Sequence, residues 1–120
     1  MKIGYIRVSK QEQNEALQVD ALKEAGCEKF FTDKSTGAKF ERKGLEETVA
    51  FVRVGDTLVV WKLDRLGRSL KDLIETLNVL NERGVDFVSL TEKIDTSTPG
   101  GKLIFHLMGA LAEFECKSPR

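Results

Sequence analysis

The chain has one histidine, two cysteines and no apolar run approaching the roughly 20 residues needed to span a bilayer. His106, Cys27 and Cys116 are too few and too scattered for a structural zinc site. The two thiols form no disulfide framework and fit a reducing, cytoplasmic setting. The amino terminus carries one lysine and then a β-type run broken by Arg7, so it does not read as a secretory signal. An excess of either charge is missing as well, with 19 basic residues against 19 acidic ones. That argues against nucleic-acid binding by a uniformly basic surface but leaves room for a local cluster. The G-x-x-x-x-G-K-[ST] phosphate loop is also absent, Pro99-Gly100-Gly101-Lys102 being only its tail. There is no internal repeat and no low-complexity tract. No metal, cofactor or membrane contact is expected.

What is present suits one domain with a single core: 120 residues, 41% hydrophobic and 32% charged. Four short apolar runs, Ile3–Val8, Lys29–Phe31, Thr57–Trp61 and Phe87–Leu90, have strand character. Leu58-Val59-Val60-Trp61 is apolar without alternation, which suits a strand covered on both faces. Between the runs lie helical patterns marked by Leu17, Ala21, Leu22 and Ala25, by Leu45, Val49 and Val52, and by Leu70, Leu73, Ile74, Leu77 and Leu80. Gly26 and Gly84 are placed to end the first and third. The alternation predicts an α/β fold with a mostly parallel sheet of four to five strands flanked by helices. Thr32–Gly44 reads as a mobile polar loop and Asp95–Gly101 as a second loop closing the α/β unit. From Leu103 the chain is apolar around almost its whole circumference, which predicts a helix buried on every side, in a domain this small by packing on a partner chain. Gly109 and Ala110 would let a second helix approach closely.

The chemistry concentrates in two motifs. Gly4-Tyr5-Ile6-Arg7-Val8-Ser9 reads as a buried strand, and alternate strand residues share a face, so Arg7 and Ser9 point the same way. Ser9 then sits at a strand-to-helix turn, where open α/β sheets place ligands. A serine beside a guanidinium suggests a nucleophile aimed at a phosphate. Ser9-Lys10-Gln11-Glu12 equally fits a capping box, in which Ser9 only starts a helix. The second motif, Trp61-Lys62-Leu63-Asp64-Arg65-Leu66-Gly67-Arg68-Ser69, follows the third strand and would bring Asp64, Arg65 and Arg68 to the same sheet edge. Arginine pairs bidentately with phosphate oxygens as lysine does not. As a bare helix start, Asp64 would simply complement the helix dipole and Arg68 would be solvated.

Together, Arg7-x-Ser9 and Asp64-Arg65-x-x-Arg68 resemble the small serine site-specific recombinases, the resolvase/DNA invertase family. The resemblance extends over roughly residues 2–115. It takes in Gln13, Gln18, Asp33-Lys34-x-x-Gly37, Arg42-x-Gly44, Gly55-Asp56 and Met108-Gly109-Ala110-Leu111-Ala112-Glu113. It implies a resolvase-like catalytic domain over 1–101, with 102–120 as the start of a long dimerisation helix. It implies that Ser9 attacks a DNA phosphate, giving a 5′-phosphoseryl link and a free 3′-hydroxyl. Arg7, Arg65, Arg68 and Arg42 would contact that phosphate, with Asp64 as orienter or proton donor. Gln13, Gln18, Asp56 and Lys62 would organise the site around them. The implied partners are double-stranded DNA and further copies of the chain, a homodimer and a synaptic tetramer. Cys116 stands where relatives usually have arginine, and Pro119 would stop the helix, so the helix-turn-helix module that usually follows is expected to be absent. A non-catalytic oligomerisation module of the same family is the alternative. A phosphoacceptor receiver domain is disfavoured, since the first strand ends in Arg7 and Ser9 rather than clustered acids.

Overall fold

The computed structural model describes residues 1–9, 15–35, 43–63 and 70–117. Its elements are β1 (Lys2–Ser9), α1 (Glu15–Glu24), β2 (Lys29–Ser35), α2 (Lys43–Phe51), β3 (Thr57–Val60), α3 (Leu70–Glu82), β4 (Asp86–Ser89), β5 (Ile94–Asp95) and α4 (Pro99–Lys117). One sheet runs in the order β2-β1-β3-β4-β5. The first three pairings are parallel, and β5 returns antiparallel to β4. The α/β fold expected from the alternation is thus the observed one.

Strand parity explains the two cores. Ile3 and Tyr5 of β1, Leu58 and Val60 of β3 and Phe87 of β4 face one side, where Leu45, Leu73 and Leu77 help cover them. Ile6 and Val8 face the other side with Val59, against Leu22 of α1 and Cys27. The run Leu58-Val59-Val60 is apolar throughout because each face meets a packed layer. Gly26 and Gly84 follow α1 and α3 with φ of 97° and 74°, the left-handed geometry of a helix-ending glycine.

Several boundaries differ from the sequence expectation. Thr32–Ser35 are not loop but the second half of β2, because β1 is long enough to pair with them as far as Ser9↔Ser35. Lys43 and Gly44 open α2, and the rest of the expected mobile loop, 36–42, lies outside the described residues. Asp95 belongs to β5, and α4 begins at Pro99, so the second loop is reduced to a tight turn. That turn is bound by side chains: Ser97 N–H and Oγ both donate to Asp95 Oδ1, and Thr98 Oγ1 accepts the Gly101 N–H at 3.0 Å as the helix cap. A Cβ on Gly101 would lie 1.7 Å from the Asp95 carbonyl oxygen, so the turn closes only on glycine. Leu17 is 54% exposed, and Gln18 takes the buried place on α1 instead. The last helix is not buried on every side within one chain. Phe105 and Met108 pack on the core, whereas Leu103, Ile104, Leu107 and Leu111 form an exposed apolar stripe. No described helix is long and apolar enough to cross a membrane.

Candidate active site

In a sheet ordered 2-1-3-4, the chain leaves β1 toward one edge and later returns to its other side. The crevice at the carboxyl ends of β1 and β3 is therefore the topological switch point. Both sequence motifs lead into it. The β1–β3 ladder stops at Tyr5↔Val60, while the β1–β2 ladder continues to Ser9↔Ser35. β1 thus outruns β3 by the segment that carries Arg7 and Ser9. Ser9, described through its backbone, is the last residue of β1.

The exit from β3 is fixed from the other side. Leu90 N–H donates to Val60 O at 3.0 Å, and Thr91 N–H and Oγ1 both donate to Trp61 O. Leu63 N–H donates to Glu92 Oε1 at 3.3 Å, and the same carboxylate accepts from Ser89 Oγ. Lys62 lies over the Trp61 ring, its Nζ 4.8 Å from the centroid. The second motif is thereby launched from a tied-down segment at the sheet edge. Asp64, Arg65 and Arg68, with Gln13 and Arg42, lie outside the described residues.

Arg7 is 4% exposed and sits at the centre of a buried polar chain. Its Nη2 donates to Tyr5 Oη at 3.2 Å, and Tyr5 Oη donates to Asp33 Oδ2 at 2.6 Å. Asp33, opposite Arg7 in the β1–β2 ladder, accepts two further bonds, from Gly44 N–H at 2.6 Å and Leu45 N–H at 2.9 Å. These amides belong to the first turn of α2, whose positive end favours a carboxylate. Burial, with the Asp33 hydrogen bond second, pushes the Tyr5 phenol well above its ordinary value near 10. Gln18 completes the frame, donating from Nε2 to the Arg7 carbonyl at 3.0 Å. The structure thus brings Arg7 and Gln18 together, and joins Tyr5 and Asp33 to the same hydrogen-bonded cluster. The composition of Thr32–Gly44 predicts a loop around Asp33; the one sequence signal for it is the family resemblance, which takes in both Asp33 and Gly44.

Asp56 does not join this cluster. It lies just before β3, at the amino-terminal edge of the sheet, where it accepts the Arg53 N–H at 2.9 Å and the Met1 amino group at 3.3 Å. The backbone bond from Arg53 is the main reason its carboxyl is held below the usual value. His106 is also remote, lining a groove of about 350 Å³ between α3 and α4 beside the start of β4. Cys27 is buried on the second face, and burial pushes its thiol up to about 11, so it stays protonated near neutrality. Among the described residues no cluster of His, Cys, Asp and Glu could hold a metal ion.

Against known families, residues 2–120 match the model "Resolvase, N terminal domain". The chain belongs to the resolvase N-terminal domain family. It is 58% identical over 115 residues to the DNA-invertase of Escherichia phage P1, covering 96% of this chain and 62% of that protein. To the serine recombinase gin of Escherichia phage Mu it is 56% identical, covering 96% of this chain and 60% of the relative. Transposon Tn552 resolvase of Staphylococcus aureus is 56% identical over 117 residues, with 96% and 59% covered. The chain therefore spans about three-fifths of the length of these curated relatives. Among solved structures, the N-terminal catalytic domain of TP901-1 integrase superposes with a TM-score of 0.80 at 32% identity, covering 98% of both chains. A resolvase-family recombinase from Streptococcus pneumoniae, at 20% identity and a TM-score of 0.77, shares the fold.

Proposed function

We propose that this resolvase-family domain cleaves and rejoins double-stranded DNA through a covalent 5′-phosphoserine intermediate on Ser9. The observation that carries this reading is the meeting of Arg7-x-Ser9 and the Trp61–Leu63 exit at the switch point of a resolvase-family fold. Ser9 Oγ attacks the phosphorus as its proton departs, the Oγ–P bond forms, and the bond to the 3′-oxygen breaks. The leaving 3′-oxygen takes up a proton and becomes a hydroxyl, which later reverses the step on an exchanged end. The phosphoester keeps the bond energy, so rejoining needs no nucleotide. Arg7, Arg65, Arg68 and Arg42 stabilise the charge that builds on the non-bridging oxygens, an effect of about 3–4 kcal/mol per donor in comparable sites. Asp64 either orients these arginines or supplies the proton to the leaving oxygen. Gln18 holds the backbone of Arg7, and Gln13 and Lys62 help organise the site around the arginines.

Residues 1–101 carry the chemistry, and 102–120 begin the oligomerisation helix. The stripe Leu103, Ile104, Leu107 and Leu111 supports a homodimer formed on α4, two of which make the synaptic tetramer. The domain works on DNA in the cytoplasm, at the nucleoid. Trapping a covalent protein–DNA adduct on interrupted duplexes, and locating the modified residue, tests the reading.

A further inference from the structure

We propose that Thr91 and Glu92 are positioning residues for this reaction, holding the exit of β3 from which the chain runs on to Asp64, Arg65 and Arg68. The inference rests on the roles given above to Ser9 and those arginines.

The parallel pairing of β3 with β4 ends at Val60↔Ser89. Backbone pairing carries one step further, Leu90 N–H donating to Val60 O, and then the turn 90–93 leads back into β5. The next residues of the exit are held from that turn. Thr91 holds the Trp61 carbonyl twice, by its N–H at 2.9 Å and its Oγ1 at 2.6 Å. Glu92 Oε1 accepts the Leu63 N–H at 3.3 Å. Leu63 is the residue before Asp64. A carbonyl and an amide past the end of the ladder are thus met by two adjacent turn residues.

A hairpin turn needs no such contacts, and exposed turn residues ordinarily matter little. Glu92 is exposed, yet the same Oε1 also accepts from Ser89 Oγ, a side chain 0% exposed at the end of β4. A buried hydroxyl needs a partner, and by taking this one it sets the carboxylate against the exit of β3. Lys93 follows with φ of 58°, a left-handed backbone uncommon for a residue with a side chain. Such conformations persist where the surroundings over-determine them, and they gather at functional sites. Here Lys93 turns the chain from Glu92 into β5, whose Ile94 pairs back to Ser89. Glu92 is thus fixed from both sides, and the segment carrying the phosphate-binding arginines starts from a fixed point.

The test uses the chain with interrupted DNA duplexes, in wild type, Glu92→Ala, Glu92→Gln and Thr91→Val. It reads adduct rate, bound DNA and acrylamide quenching of Trp61, the one tryptophan of the chain. Glu92→Ala removes the acceptor for Leu63, whereas the amide oxygen of Glu92→Gln still takes both donors. Arg65 lies two residues beyond Leu63, and a misplacement of about 1 Å costs up to about a hundredfold in rate. The expected result for Glu92→Ala is a fall of about tenfold or more in adduct rate, with DNA bound no more weakly than by wild type and Trp61 more easily quenched. Glu92→Gln should regain most of the rate. Thr91→Val loses only the Oγ1 bond, should fall less, and carries the test if Glu92→Ala does not fold. A folded Glu92→Ala at the wild-type rate overturns the inference, as does an undiminished Thr91→Val where Glu92→Ala fails to fold. A fall that tracks weaker DNA binding overturns it too. So does a Glu92→Gln as slow as Glu92→Ala, because charge or proton transfer rather than position would then be at work. Wild type forming no adduct overturns the role of Ser9; the hold on the β3 exit is then judged by the quenching, and no rise in Glu92→Ala overturns that as well.

Discussion

Arg7 and Asp33 stand opposite each other in the β1–β2 ladder, and the Tyr5 hydroxyl bridges them, accepting from Arg7 at 3.2 Å and donating to Asp33 at 2.6 Å. The link crosses two strands and ends on α2, so the end of β1 is held by more than sheet pairing. Disturbing any member should be felt at the others.

Tyr5 is the one tyrosine of the chain, so its ionisation can be followed by near-ultraviolet absorbance without interference. Its phenol is raised in the folded state, so between about pH 10 and the folded value the unfolded chain loses this proton while the native chain keeps it. Tyr5 therefore adds no pH dependence below about pH 10, and stability falls as pH climbs above it. Tyr5→Phe should remove the Tyr5 part of the alkaline fall, leaving the part that the raised Cys27 thiol supplies, and cost about 1.5–3 kcal/mol near neutrality, the range for a hydrogen bond to a charged group. Denaturant unfolding from pH 7 to 11 checks both.

Gly44→Ala forces a methyl against Thr32 O and the Asp33 carboxylate. The expected loss is about 1–3 kcal/mol, the range for inserting a methylene into a packed site, with opening of the Asp33 bonds to α2. Urea unfolding reads the loss, and a downward shift of the Tyr5 titration reads the loosened carboxylate.

Gly100 and Gly101 are neighbours with opposite expected outcomes. A Cβ on Gly100 meets nothing within 4 Å, whereas one on Gly101 overlaps the Asp95 backbone. Gly100→Ala should leave stability level or raise it by up to about 1 kcal/mol. Gly101→Ala should lower it by several times that amount or prevent folding, as seen in thermal unfolding. Equal effects would contradict the turn geometry.

Leu107 is 59% exposed on α4. Leu107→Glu should leave the unfolding midpoint of the monomer within about 0.5 kcal/mol, as for a surface substitution, while weakening self-association. Sedimentation over a range of concentrations measures the second effect. A wild-type chain that stays monomeric at high concentration contradicts the role proposed for this helix.

The fold was legible because it rests on periodicity. Leu73, Ile74, Leu77 and Leu80 announced α3 by spacing alone, and the unbroken apolar run of β3 announced a strand between two layers. The polar parts were harder to read. Thr32-Asp33-Lys34-Ser35 has the composition of a loop and becomes strand because β1 offers seven consecutive partners, a tertiary fact. Asp33 looked like loop chemistry because the donors that justify its burial come from Tyr5 and α2, distant in sequence. Asp56 was grouped with the site by motif alone, and only topology puts it at the opposite edge. The apolar circumference of α4 predicts burial on every side, but one chain covers only the Phe105 and Met108 side.

The covalent intermediate is the most direct test. The chain is incubated with a pool of short duplexes interrupted near the centre, the adduct is isolated under denaturing conditions, and the modified peptide is identified by mass spectrometry. The account expects a 5′-phosphoryl DNA end esterified to Ser9, a free 3′-hydroxyl, and no adduct from Ser9→Ala. An adduct that persists in Ser9→Ala, or none from the wild-type chain, would contradict it.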